Sequence, residues 1–141
     1  MAWYNTFTRA VLRSPLHGLF SGSTLLVNYQ GCKTGKQYSV PVNYIEIDDE
    51  YLIISKRERT WWRNLRGGLA VELVVRGESK SLVGRVIEEP NELHQQFEEY
   101  FQNAPNQARY FGLFTEGNGQ IPFSDLERIV QDWLLVRVGS A

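Results

Sequence analysis

The alternation of apolar and polar positions carries most of the structural information in this chain. Leu25, Val27 and Tyr29 alternate with Thr24, Leu26 and Asn28. Tyr38, Val40, Val42 and Tyr44 alternate with Gln37, Ser39, Pro41 and Asn43. A period of two predicts two strands, and the Gly31-Cys32-Lys33-Thr34-Gly35-Lys36 segment between them predicts a hairpin turn. Pro41 has no N–H to give to a ladder, so it predicts an edge position or a bulge. Beyond Tyr44 the apolar phase shifts to Ile45 and Ile47, which suits a bulge or burial of both faces. The run YLIIS at 51–55 predicts a third strand after the polar turn Asp48-Asp49-Glu50. Leu69, Val71, Leu73 and Val75 predict a fourth, and the segment 82–87 a fifth after the turn at 76–79. Leu134, Val136 and Val138 predict the last.

The remaining segments read as helices. Trp3, Phe7, Ala10 and Val11 share one helical face, and Ser14-Pro15 ends that element. Thr60 to Leu65 predicts a short helix with Thr60 as N-cap and Gly67 as stop. Pro90 opens a helix whose buried face is Leu93, Phe97, Tyr100 and Phe101. Residues 107–114 read as helical, and Ser124-Asp125-Leu126-Glu127 as a capping box opening a further helix. Strands come first and most helices follow, with no strand–helix alternation. The expected fold is therefore mainly β or α+β, an antiparallel barrel or curved sheet of five or six strands flanked by helices. A chain of 141 residues suits one domain, 1–141.

Composition narrows the function. Apolar content of 43%, charged content of 22% and a net charge of −1 are those of an ordinary globular chain, with no global pull toward nucleic acid or membrane. No run reaches the roughly 18 apolar residues of a membrane span, and the first residues lack the pattern of a signal peptide. The single Cys32 forbids an internal disulfide and suits a cytoplasmic setting. His17 and His94 stand apart from each other and from Cys32, so no metal site is expected. No serine sits in a nucleophile elbow, and no histidine lies near Cys32 in sequence to activate it. The turn fails as a P-loop because Gln37 follows Lys36 and no helix follows.

Two stretches remain as candidate chemistry. In the turn, Gly31 and Gly35 can take φ > 0 and converge amides on an anion, with Lys33, Lys36 and the Thr34 hydroxyl around it. A plain solvated hairpin turn satisfies the same pattern. In SKRERTWWRNL, Lys56, Arg57, Arg59 and Arg63 are interleaved with Trp61 and Trp62, which suits a flat phosphorylated ring or stacked single-stranded nucleic acid. An amphipathic helix with one Trp in the core satisfies it too.

The order G-C-K-T-G-K, Y-S-V-P-V-N-Y, Y-L-I-I-S-K and W-W-R-N-L, over about residues 25–75, resembles the deazaflavin-dependent nitroreductase family. That family's pattern runs roughly G-R-K-S-G…R-x-x-P, then A-S-K-G-G…P-x-W-x-x-N-L. The resemblance implies a split β-barrel of the FMN-binding, pyridoxamine 5'-phosphate oxidase-like superfamily, commonly a homodimer. It also implies a deazaflavin coenzyme (F-420) or FMN as cofactor. The implied activity is hydride transfer to a quinone, nitro or unsaturated carbonyl acceptor. Lys33, Thr34, Gly35 and Lys36 then form the phosphate turn, Pro41 falls in its R-x-x-P, and Ser55 and Lys56 match its S-K along the coenzyme. Trp61 and Asn64 match its W-x-x-N-L, and Arg57, Arg59 and Arg63 are further candidate phosphate ligands. The motifs name no catalytic residue. Three departures stand out. Cys32 and Tyr38 replace arginines, and the G-G and proline after S-K give way to the shorter loop Arg57-Glu58-Arg59-Thr60. The alternatives are a split-barrel protein that carries a cofactor or apolar ligand without catalysis, and a single-strand nucleic-acid binder.

Overall fold

The structure, a computed structural model, describes residues 24–31, 33, 35–111, 113 and 121–140. The helix expected around Trp3 to Val11 lies outside the described residues. Six strands form in chain order: β1 (Thr24–Gln30), β2 (Gln37–Ile47), β3 (Glu50–Lys56), β4 (Leu69–Val75), β5 (Glu78–Ile87) and β6 (Trp133–Gly139). A five-residue 3-10 helix, Trp61–Leu65, sits between β3 and β4. Among the described residues three α-helices lie between β5 and β6: α1 (Pro90–Gln102), α2 (Pro105–Tyr110) and α3 (Phe123–Asp132).

The strands close a barrel in the order β1-β2-β3-β6-β5-β4, every neighbouring pair antiparallel. The expected six-stranded antiparallel barrel with flanking helices is therefore the fold. Tight turns make the hairpins. Asp48 and Asp49 (φ 52° and 65°) join β2 to β3, and Arg76 and Gly77 (φ 49° and 79°) join β4 to β5. Two successive positive φ values match the twist of the flanking strands, and aspartate and glycine tolerate them.

Alternation sorts side chains between the barrel interior and the outer layer. The register pairs Leu25 with Val42, Val27 with Val40 and Tyr29 with Tyr38 on one face. Tyr44 opposite Ile53 and Tyr51 opposite Val138 continue that face, and nearly all these residues are buried core. The other face carries Leu52, Ile54 and Leu135. It is covered in part by α1, whose Leu93, Phe97, Tyr100 and Phe101 are all buried as the helical spacing predicts.

One pair of alternatives is resolved in favour of burial on both faces, and one expectation is corrected. No bulge interrupts β2, since its pairing with β1 is regular from Thr24↔Asn43 to Gln30↔Gln37. Instead both faces of β2 are covered, with Val42, Asn43 and Tyr44 buried in succession. Pro41 is tolerated because pairing with β3 begins only at Asn43. Its carbonyl accepts from Arg59, so the polar backbone of residue 41 faces away from β1 and the missing N–H removes no bond there. The capping box at Ser124 does not form: α3 begins at Phe123 with Pro122 as N-cap, which places Ser124 inside the helix. For α1 the cap is Glu89, whose carboxylate accepts from the amides of Asn91 and Glu92. Among the described residues no helix is long and apolar enough to cross a membrane.

Candidate functional site

The β1–β2 hairpin reaches past the rest of the barrel at one end, because residues 37–42 of β2 pair with β1 alone. The Lys33–Lys36 turn forms its tip. Gly35 takes φ +71°, and its carbonyl accepts from Gln30 Nε2 at 3.1 Å. Gly31 does not adopt positive φ. The Gly31 amide donates to the Lys36 carbonyl at 2.8 Å and the Gly35 amide to the Gly31 carbonyl at 2.9 Å. Those two amides close the turn rather than point outward. Anion contacts at the tip therefore fall to side chains, and Lys33 and Lys36 are both exposed there. The Thr34 and Cys32 side chains lie outside the described residues.

Below the tip, the inner face of the hairpin ends in aromatic rings. Tyr29 and Tyr38 stack at 5.5 Å, and Trp61 lies 6.3 Å from Tyr29. The Trp61 Nε1–H donates to Ser55 Oγ at 3.0 Å, both residues being buried. This bond ties the 3-10 helix to the end of β3. The helix is pressed onto β5 at Gly84, where a Cβ would stand 2.7 Å from Leu65 Cδ2. Asn64 turns its amide back onto the Trp61 carbonyl at 3.0 Å and so braces the same helix.

Arg59 reaches in from the loop, and its guanidinium donates to the Pro41 carbonyl at 3.5 Å. Partial burial lowers its pKa from the ordinary arginine value, with Tyr29 pulling the other way. Burial raises the Tyr29 phenol, the neighbouring Tyr38 adds to that rise, and Arg59 opposes it. Tyr29 therefore stays protonated at neutral pH and is a hydrogen-bond donor.

Strand alternation separates the two residues of the S-K pair. Ser55 faces inward, while Lys56 faces outward over the Trp133 ring at 5.6 Å. Arg57 is tied to the end of α3. Its amide donates to the Asp132 carbonyl and its Nε to the Val130 carbonyl, each at 2.8 Å. A cation there also suits the negative end of the helix dipole. Lys56, Arg57, Glu58, Gln131, Asp132 and Trp133 line an outer cleft of about 520 Å³.

The predicted residues thus fall into three places. Lys33, Gly35 and Lys36 are at the hairpin tip. Pro41, Ser55, Arg59, Trp61 and Asn64 gather at the barrel mouth. Lys56 and Arg57 line the outer cleft. The motifs missed Tyr29 and marked Tyr38 only as a replacement for an arginine. Their signal was present in the hairpin, since they stand directly opposite each other one step below the turn. Exposed ammonium groups, a half-buried guanidinium and stacked rings together form a donor set that fits a flat ring bearing an anionic group.

The closed six-stranded antiparallel barrel is a fold shared with solved structures. The solved structure of an F420-H2 dependent reductase (FDR-A) is 16% identical, with a TM-score of 0.52 over 82% of this chain and 92% of that one. A structure described as a domain-swapped dimer is also 16% identical, with a TM-score of 0.51 over 96% of each chain. The FAD and heme binding protein from Mycobacterium smegmatis is 13% identical, with a TM-score of 0.53 over 84% of this chain. This chain covers only 61% of that protein. No curated protein sequence matches the chain. The profile of the F420H(2)-dependent quinone reductase family matches residues 5–117. The chain belongs to that family, and is with it a deazaflavin-dependent oxidoreductase.

Proposed function

We propose that this protein reduces quinones with a reduced deazaflavin coenzyme, which it binds at the hairpin tip and barrel mouth. When bound, that coenzyme supplies the hydride. Lys33, Thr34 and Lys36 hold its phosphate with their side chains, Gly35 shapes the turn that presents them, and the mouth residues Pro41, Ser55, Arg59, Trp61 and Asn64 shape the seat for flat rings. The buried Trp61–Ser55 bond fixes one wall of that seat and excludes water behind it. Lys56 and Arg57 act from the outer side, Arg57 by holding α3 against the end of β3. The observation that carries this reading is the stacked Tyr29–Tyr38 pair beside Trp61 and a half-buried arginine, directly under a lysine-bearing turn. The protein acts in the cytoplasm as a single domain and as a homodimer. The similarity in fold to a protein described as a domain-swapped dimer supports the dimer.

Titration with the deazaflavin coenzyme, read by tryptophan fluorescence and with FMN in parallel, tests the proposal. Trp61 reports directly on the mouth. Binding of the deazaflavin is expected, with Lys33→Ala and Lys36→Ala each weakening it by roughly 1–3 kcal/mol, the scale of a lost charge-assisted hydrogen bond. Absence of binding below millimolar, or unchanged affinity in both variants, rejects the assignment. Light scattering after gel filtration gives the oligomeric state.

A further inference from the structure

Arg59 is a half-buried cation with little to hold it. The single hydrogen bond of its guanidinium among the described residues is the 3.5 Å contact to Pro41, at the outer limit of such a bond. No described carboxylate pairs with it. Arg137, also half-buried, shows the usual arrangement: it donates to Glu50 at 2.6 Å and to Gln96 at 2.7 Å. Taking a guanidinium partly out of water without a counter-ion costs free energy. A site that keeps such a group intact is arranged for an anion that arrives from outside.

The surroundings of Arg59 narrow what that anion is. The lysines of the turn stand in the open at the hairpin tip, where a phosphate on a flexible tail needs no wall. Arg59 instead lies among rings. Tyr29 interacts with it electrostatically, Tyr38 stacks on Tyr29 and is 40% exposed, and Trp61 lies 6.3 Å from Tyr29. A planar guanidinium beside an aromatic wall suits an anionic oxygen carried directly on a flat ring. The Tyr29 hydroxyl, protonated at neutral pH, is a second donor at this mouth.

We propose that Arg59 and Tyr29 form the electron-acceptor subsite, and that the acceptor is a flat quinone bearing an ionised ring oxygen. This rests on the quinone-reductase reading above and adds to it the class of quinone. It also gives a purpose to the shortened loop Arg57-Glu58-Arg59-Thr60, which carries Arg59 to the mouth.

Two probes of nearly equal shape test the subsite. The hydroxyl of 2-hydroxy-1,4-naphthoquinone is ionised at neutral pH, whereas 1,4-naphthoquinone is neutral. Binding of each is measured by equilibrium dialysis to the wild-type chain, with and without deazaflavin, and to Arg59→Gln and Arg59→Lys. Folding of the variants is checked by circular dichroism. The wild type is expected to bind the ionised quinone at least tenfold more tightly. Arg59→Gln should abolish that preference and Arg59→Lys retain part of it. Equal affinity of the wild type for the two quinones, or no binding of either, overturns the proposal. So does a preference that survives in Arg59→Gln. If Arg59→Gln weakens the deazaflavin and leaves the ionised quinone untouched, Arg59 belongs to the cofactor and the proposal fails. If deazaflavin does not bind while the Arg59-dependent preference persists, the cofactor reading fails and the anionic subsite stands.

Discussion

Two buried side chains, Ser55 and Trp61, hold the mouth of the barrel in shape. The bond between them joins residues six apart across a change from strand to 3-10 helix. Neither group meets bulk water, so removing the acceptor leaves the indole N–H unsatisfied. Ser55→Ala is expected to destabilise the protein by about 1–3 kcal/mol, and Trp61→Phe in that background to cost less than it does alone. Urea denaturation of the two single variants and the double variant measures the coupling. Equal costs of Trp61→Phe in both backgrounds would mean that the bond contributes nothing. The motif residues Ser55, Trp61 and Asn64 were visible in the sequence, but not what they touch. Asn64 braces its own helix, and Arg57 finds its partner, Val130, 73 positions away. Spacing within a motif carries no information about a contact of that range.

The elements were the most legible level. Period-two alternation located five strands, because a barrel with a filled interior demands one apolar face of each, and the unbroken run at 51–55 located β3, which is buried on both faces. The face of α1 followed from helical spacing in the same way. Helix starts were less legible. Glu89 and Pro122 cap α1 and α3, and neither fits the serine-led pattern that capping preferences favour. The packing of the 3-10 helix onto β5 was not legible at all, since it depends on Gly84 having no Cβ. Gly84→Ala should therefore lift Leu65 and cost about 1–3 kcal/mol by overpacking. In a Leu65→Ala background the added cost should disappear, which thermal melting of the two pairs would register. An undiminished cost there would place the strain elsewhere.

At the scale of the whole molecule, two buried phenols set the alkaline limit of stability. Burial raises Tyr29 and Tyr100 above the ordinary value of 10.0, and Tyr100 donates its proton to Gln107 Oε1 at 2.6 Å. The folded chain thus holds these protons more tightly than the unfolded chain. Their contribution is complete below the ordinary value and is lost as pH rises through the raised ones. The urea midpoint is expected to fall steadily once pH passes about 10. An ultraviolet titration should show Tyr29 and Tyr100 ionising above the ordinary tyrosine value, Tyr100 last. Seven tyrosines titrating together in the folded state would contradict it.

The position of β6 has a kinetic consequence. It lies between β3 and β5, joining strands from the two halves of the sheet, and it comes after all the others in sequence. As the chain emerges during synthesis, β1 to β5 can form a sheet that is open along β3 and β5. The pairing of Lys56 with Trp133 closes a loop of more than seventy residues. Contacts of that separation are slow to form, because the closure entropy is lost before the ladder compensates for it. Until they form, two unpaired edges with buried-type residues such as Ile54 and Ile87 face the solvent, where the strand of another chain can add to them. The step that completes the barrel is thus also the step at which nascent chains are most exposed to one another.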